Sequence, residues 1–163
     1  MARLRLYFLR HGKALSRGEW RGDDDLRPLT SLGEAEIRQL GSQLAALQVR
    51  PGLIVSSPLA RARRTAELVA EALGMPTDLV LDGRLAHGFG RAALAAIAAD
   101  HRSRGALMLV GHEPDFSTTI GGLVGGARMV CKKGGLARVD VDEETLGGGE
   151  LVWLVPPVFL ARE

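Results

Sequence analysis

Three short apolar runs in this chain each stop abruptly at polar residues, and longer stretches of helical spacing separate them. Leu4–Leu9 ends at Arg10-His11-Gly12, Leu53–Val55 at Ser56-Ser57-Pro58, and Ala106–Val110 at Gly111-His112. Runs of this length, bounded by polar or turn residues, read as buried strands. Between the first two, Ser31-Leu32-Gly33-Glu34 resembles a capping box led by Ser31, and Leu40, Leu44 and Leu47 continue at helical spacing until Pro51-Gly52 breaks the chain. After the second run, Ser57 is placed to cap a helix with Pro58 at its first position, ending near Leu73. Leu79–Leu81 reads as a short strand, and Ala92–Ala99 and Phe116–Val124 as helices. Val130, Leu136–Val141 and Leu151–Val155 read as strands, with a turn at Gly147-Gly148-Gly149. The order strand, helix, strand, helix, helix, strand and a strand-rich end predicts an α/β fold on a largely parallel sheet.

The 163 residues suit one domain, so residues 1–163 are expected to form a single unit. Aromatic residues make up only 4%, which argues against a nucleic-acid surface built on stacked rings, and the net charge of +2 gives no basic tail. No apolar run reaches membrane-spanning length, and the N-terminal run is too short for a signal-peptide core. With Cys131 the only cysteine, no intrachain disulfide can form. These features fit a cytoplasmic protein without nucleic-acid or membrane partners; the oligomeric state is not set by the sequence.

In open α/β sheets, ligands bind beyond the carboxyl ends of the strands. If the three runs are parallel, His11, His112, Arg10 and Arg61 converge on one edge. That set suffices for phosphoryl transfer without a metal or other cofactor. A neutral imidazole can attack phosphorus, and the rest of the work is positioning and charge stabilisation, for which guanidinium forks are suited. Other residues read more plainly. His112-Glu113 lacks the second histidine of a zinc-protease helix, since position 116 is Phe116. Asp23-Asp24-Asp25 reads as solvated charge, as do Arg63 and Arg64 on their helix. His101 reads as an exposed helix-end residue and His87 as structural.

Leu9-Arg10-His11-Gly12 resembles the RHG signature of the histidine phosphatase superfamily, which also contains phosphoglycerate mutases. Ser56-Ser57-Pro58-Leu59-Ala60-Arg61-Ala62 resembles its second motif and Gly111-His112 its third, in family order across most of the chain. The short length, Arg27-Pro28-Leu29-Thr30 followed by Gly33, and Val110-Gly111-His112-Glu113-Pro114 are similar to the SixA branch of phosphohistidine phosphatases. The resemblance implies a three-layer α/β/α sandwich of the phosphoglycerate mutase-like type. It implies His11 as a nucleophile forming a phosphohistidine, with Arg10, Arg61 and His112 binding the phosphoryl group, and Arg27 and Ser57 as further substrate-binding candidates. The partner it implies is a phosphohistidine-bearing signalling protein. A small phosphomonoester on the same scaffold is the alternative, and a non-catalytic phosphate- or phosphoprotein-binding module is the alternative of another class.

One departure bears on substrate. Mutase and acid-phosphatase branches carry an acidic proton donor after the third strand, where this chain reads Asp82-Gly83-Arg84-Leu85-Ala86-His87-Gly88, with no glutamate. An alkoxide leaving group needs a general acid, whereas an imidazole can be protonated before the N–P bond breaks. Asp82, His87 and Asp115 are the candidate substitutes. The sequence also lacks a long insertion that would close a lid over the site.

Overall fold

In a computed structural model, which describes residues 2–157, six strands form one sheet. They are β1 (Arg3–Arg10), β2 (Leu53–Ser56), β3 (Leu79–Leu81), β4 (Ala106–Gly111), β5 (Leu136–Asp142) and β6 (Glu150–Val155), in the order β3-β2-β4-β1-β5-β6. The first four in that order are mutually parallel; β5 runs antiparallel to both β1 and β6. The sheet is thus parallel through its centre and antiparallel at one side.

Side chains alternate across the strands, and each face buries its own core. Leu4, Leu6 and Phe8 of β1 lie on one face with Leu107, Leu109 and Val139. They are covered by α3 (Arg91–Asp100), through Leu94 and Ile97, and by α4 (Asp115–Leu123), through Phe116 and Ile120. The Phe8 and Phe116 rings meet edge to face, 5.3 Å between centroids, a geometry that aromatic pairs favour. Tyr7 and Leu9 point to the opposite face with Ile54, Met108 and Val110. There α1 (Ser31–Ala46) contributes Ile37, Leu40 and Leu44 and α2 (Ala60–Ala72) contributes Ala66, Leu68 and Val69. Helices on both faces of one sheet make the three-layer α/β/α sandwich that the resemblance implies, an α/β fold as the alternating pattern predicts.

Several local readings are corrected. The cap of α1 is Thr30, not Ser31: the Thr30 hydroxyl accepts from Gly33 N at 2.9 Å, while the Glu34 carboxylate turns to Arg64 and Arg38. Ser57 and Pro58 precede α2 rather than open it, because the Ser57 hydroxyl closes a tight turn by accepting from Leu59 N, and Leu59 occupies the cap position. Val130 belongs to no strand and is exposed; its segment instead carries the backbone of Cys131, Gly134 and Gly135 to the end of β1. The polar stretch 13–30 is ordered by a bridge between Ala14 and Leu29 and by a 3-10 turn at Asp24–Leu26.

Candidate active site

Register places the three polar strand ends side by side. Arg10 of β1 lies opposite Gly111 of β4, and Ser56 of β2 opposite Val110. Backbone bonds extend this alignment past the strands, with His11 N donating to Gly111 O and Ser57 N to Val110 O. As a result the His11 and His112 rings face each other, 5.3 Å between centroids, although 101 positions separate them in sequence (112 minus 11).

The His11 ring has a defined tautomer. Its Nδ1 lies 2.7 Å from the carbonyl of Gly12, which can only accept, so Nδ1 carries the proton and Nε2 keeps its lone pair. Burial pushes the His11 pKa down to about 3, with His112, Arg61 and Arg10 lowering it further against the Gly12 bond. The ring is therefore neutral at physiological pH. Two close approaches hold this turn. A side chain at Gly12 would strike Ile37 of α1, and one at Gly33 would collide with the Lys13 carbonyl, so the first turn of α1 seats directly on the residues after His11. Gly12 N donates to the Thr65 hydroxyl at 3.1 Å, and that hydroxyl donates to Arg61 O at 2.7 Å. A single buried side chain thus ties the His11 turn to the helix that presents Arg61.

His112 Nε2 lies 2.8 Å from the Ser57 hydroxyl, which is fully buried. Ser57 sits behind His112 rather than on the pocket wall, and a hydroxyl can donate or accept there. Burial, then Arg61, His87 and Arg10, push the His112 pKa down to about 4. Its Nδ1 is buried without a partner, as are Nε of Arg10 and Nε of Arg61. Buried polar groups are ordinarily hydrogen-bonded. All three belong to residues that line one pocket.

The space is a pocket of about 340 Å³, lined by Arg10, His11, Arg27, Arg61 and His112 together with Ser16, Arg17, Glu113 and Lys133. Arg10 is anchored by Nη1 donating to Cys131 O, and Arg27 by Nη1 donating to Leu15 O and Nε to Asp24 Oδ1. The fold brings together Arg10, His11, Arg27, Arg61 and His112, with Ser57 one layer behind.

The proposed acidic substitutes fare differently. Asp82 caps the turn at Gly83–Leu85 and is clamped by Arg84, Nη2 to Oδ2 at 2.6 Å, and it does not line the pocket. Asp115 Oδ2 accepts from Phe89 N, and Glu113 Oε1 accepts from Ser117 N. His87 is not confined to a structural role in the interior: its ring is largely exposed, stacks 6.5 Å from His112 and approaches Asp25 at 3.4 Å. Sequence reasoning missed Thr65, Lys133, Arg17 and Asp24. Among the described residues there is no cluster of three histidine, cysteine or carboxylate side chains suited to a metal, and no helix long and apolar enough to cross a membrane.

Comparison with known proteins agrees with this arrangement. The model of the histidine phosphatase superfamily, branch 1, matches residues 6–93, more than half of the chain. An uncharacterized protein of Picosynechococcus sp. is 33% identical across 96% of this chain and 99% of its own. The GpmB protein of Citrobacter koseri, assigned provisionally as a phosphoglycerate mutase, is 42% identical over 84 residues, half of this chain and 37% of that one. Among solved structures, a protein of Agrobacterium tumefaciens assigned provisionally to the SixA phosphohistidine phosphatases superposes with a TM-score of 0.78 at 26% identity, over 94% of this chain and 99% of that one. A protein histidine phosphatase SixA solved with tungstate gives 0.82 at 24% identity, over 96% and 99%. The fold is phosphoglycerate mutase-like. By sequence match over most of its first two βα units, and by a fold that sets both histidines against a cluster of arginines, the chain belongs to the histidine phosphatase superfamily.

Proposed function

We propose that this chain is a metal-independent phosphatase that forms a covalent phosphohistidine on His11, and that its substrate is a phosphohistidine on a signalling phosphotransfer protein. The observation that carries the reading is the His11 ring itself: neutral, fixed by its Nδ1–H on Gly12 O, with its Nε2 lone pair left free beside the arginines. Nε2 attacks phosphorus in line, the N–P bond to the substrate imidazole breaks, and its electron pair passes to the leaving nitrogen, which takes up a proton. Water then attacks phosphorus on His11, releasing inorganic phosphate and restoring the lone pair. Arg10, Arg27 and Arg61 hold the equatorial oxygens through both steps, and His112 donates to them.

The carboxylates around the site support an N–P substrate over an ester. Asp24, Glu113, Asp115 and Asp82 each accept from an N–H or pair with an arginine. For Asp24 and Asp82 the arginine bonds hold the carboxyl below its ordinary range, which suits it poorly to protonate an alkoxide. Likeness to SixA structures favours the same reading. Similarity of the first half to a provisionally assigned mutase favours the second reading, a phosphatase of small phosphomonoesters.

The test is to trap the intermediate with labelled phosphoramidate, quench, and map the label by mass spectrometry. Label on His11, absent in His11→Ala, is expected. Turnover with the label elsewhere would refute the nucleophile, and binding without label or turnover would leave only a phosphate-binding module. Parallel kinetics on a phosphohistidine protein and on sugar or nucleotide phosphates decide the substrate; higher kcat/KM on the esters would reject the phosphohistidine assignment.

A further inference from the structure

Three consecutive carboxylates in the loop before α1 have three different fates. Asp23 Oδ1 accepts from Asp25 N and shapes the 3-10 turn. Asp25 turns toward His87. Asp24 does not itself line the pocket but meets three of the arginines that do. Arg61 Nη1 donates to its backbone carbonyl at 2.8 Å and Nη2 to its Oδ2 at 3.3 Å. Arg27 Nε donates to its Oδ1 at 2.9 Å, and Arg17 Nε lies 3.7 Å from the same oxygen.

The geometry points to Asp24 as a resident counter-ion of the oxyanion pocket, one that presets Arg61 and Arg27 while weakening their hold on inorganic phosphate and its isosteres. This rests on the phosphoryl-binding reading of the pocket. The Asp24 carboxylate occupies N–H groups of Arg27 and Arg61 that a phosphate oxygen could otherwise use, and it places a negative charge among the guanidinium groups that would hold the dianion. It leaves Nε of Arg61 unpartnered, so the guanidinium is held in place but not saturated. The hydrogen bond from Arg27 keeps the Asp24 carboxyl below the ordinary carboxylate range, so the charge is present across the neutral range.

The chemistry gives a reason for such a group. Arg10, Arg17, Arg27, Arg61 and Lys133 all border one small pocket, and cations bind the released phosphate as well as they bind substrate. Binding that is equal in ground state, transition state and product does not speed turnover and slows release. A fixed carboxylate that orders two guanidinium groups supplies geometry without surplus affinity. Side chains that merely brace a loop have the opposite signature: their removal disorders the arginines and weakens the anion.

The experiment is titration calorimetry of inorganic phosphate into the full chain at fixed low ionic strength. Asp24→Asn removes the charge but keeps an oxygen acceptor for Arg27 and the backbone carbonyl for Arg61. Its position in a surface loop, with the side chain 40% exposed, allows the fold to persist, which a melting curve checks. The expected result is a phosphate Kd lowered by about three- to tenfold, with product inhibition tightened in parallel. Asp24→Glu, which keeps the charge, stays within about twofold of the unsubstituted chain. An unchanged or weaker Kd in Asp24→Asn overturns the proposal. Affinity is read here without turnover. A chain that binds phosphate yet spares phosphohistidine would therefore reject the functional reading and leave the counter-ion comparison intact, whereas no phosphate binding by the unsubstituted chain would overturn both.

Discussion

Replacing Thr65 by valine isolates the link between the His11 turn and the helix that presents Arg61. Thr65 is fully buried, and its hydroxyl accepts from Gly12 N and donates to Arg61 O. Valine matches the shape but removes both bonds. The Arg61 carbonyl still accepts within α2, so it loses little. Gly12 N has no such alternative and becomes an unsatisfied buried donor, which costs about 1–3 kcal/mol. Subtracting the small gain from burying a methyl leaves a net destabilisation of about 1–2 kcal/mol. For a chain of 163 residues that is a fall in Tm of roughly 3–8 °C. The catalytic effect is expected to be larger in proportion. A shift of about 1 Å between attacking nitrogen and bound phosphoryl group can cost as much as 100-fold, so kcat should fall by roughly ten- to 100-fold, with KM moving less. Urea unfolding followed by circular dichroism measures the first quantity and steady-state hydrolysis the second. A variant within about 0.3 kcal/mol of the parent and with undiminished kcat would refute the tether.

Two further outcomes follow from the histidines. Ser57→Ala leaves His112 Nε2 without its 2.8 Å partner, and kcat should drop about tenfold with little change in Tm beyond that expected for one lost hydrogen bond; steady-state kinetics with a melting curve checks it, and full activity would show that Ser57 does not hold His112. Stability should fall as pH is lowered from 7 to 5: His11 and His112 titrate near 3 and 4 in the native state but near 6.5 when unfolded, so below pH 6.5 the unfolded chain binds protons the native one refuses, at a cost on the order of 1–2 kcal/mol per histidine by pH 5. Urea midpoints across that range should flatten in the His11→Gln, His112→Gln double variant; equal slopes would mean that the rings are protonated in the folded chain.

What the sequence made legible is what local pattern controls. The apolar residues of β1, β2 and β4 fill both faces of the sheet, and the polar residues just past their ends are where His11, Ser57 and His112 stand. The antiparallel side of the sheet was not legible: the runs in β5 and β6 read as strands, but their direction depends on which neighbour they pair with. Thr65 offers only a faint signal, one helical turn after Arg61, because its importance comes from Gly12, 53 positions away. Asp24 was hidden by its own neighbours. Three adjacent carboxylates look alike until the 3-10 turn points one of them at Arg61, and no spacing rule predicts which. Caps differ by one or two residues at α1 and α2 because the Thr30 hydroxyl, one residue before Ser31, reaches Gly33 N, and because the Ser57 hydroxyl is spent on Leu59 N, which leaves Leu59 at the cap position.

In the proposed mechanism, the electrostatics of the pocket explain how one site could hold a nucleophile and an acid made of the same side chain. Both imidazoles are buried among cations, and both are driven neutral. A phosphoryl dianion reverses the sign of the local field and favours protonation of whichever ring can accept a proton. His11 is not equivalent to His112 in this respect. Its Nδ1–H is committed to Gly12 O and its Nε2 is directed at phosphorus, so protonating it would destroy the attack. His112 rests against a hydroxyl that accepts as readily as it donates, and its second nitrogen has no partner, so it can gain a proton without losing a bond. On that proposal the difference between nucleophile and acid lies in a backbone carbonyl against one ring and a serine hydroxyl against the other, with the charge of the substrate setting the two histidines to their separate tasks.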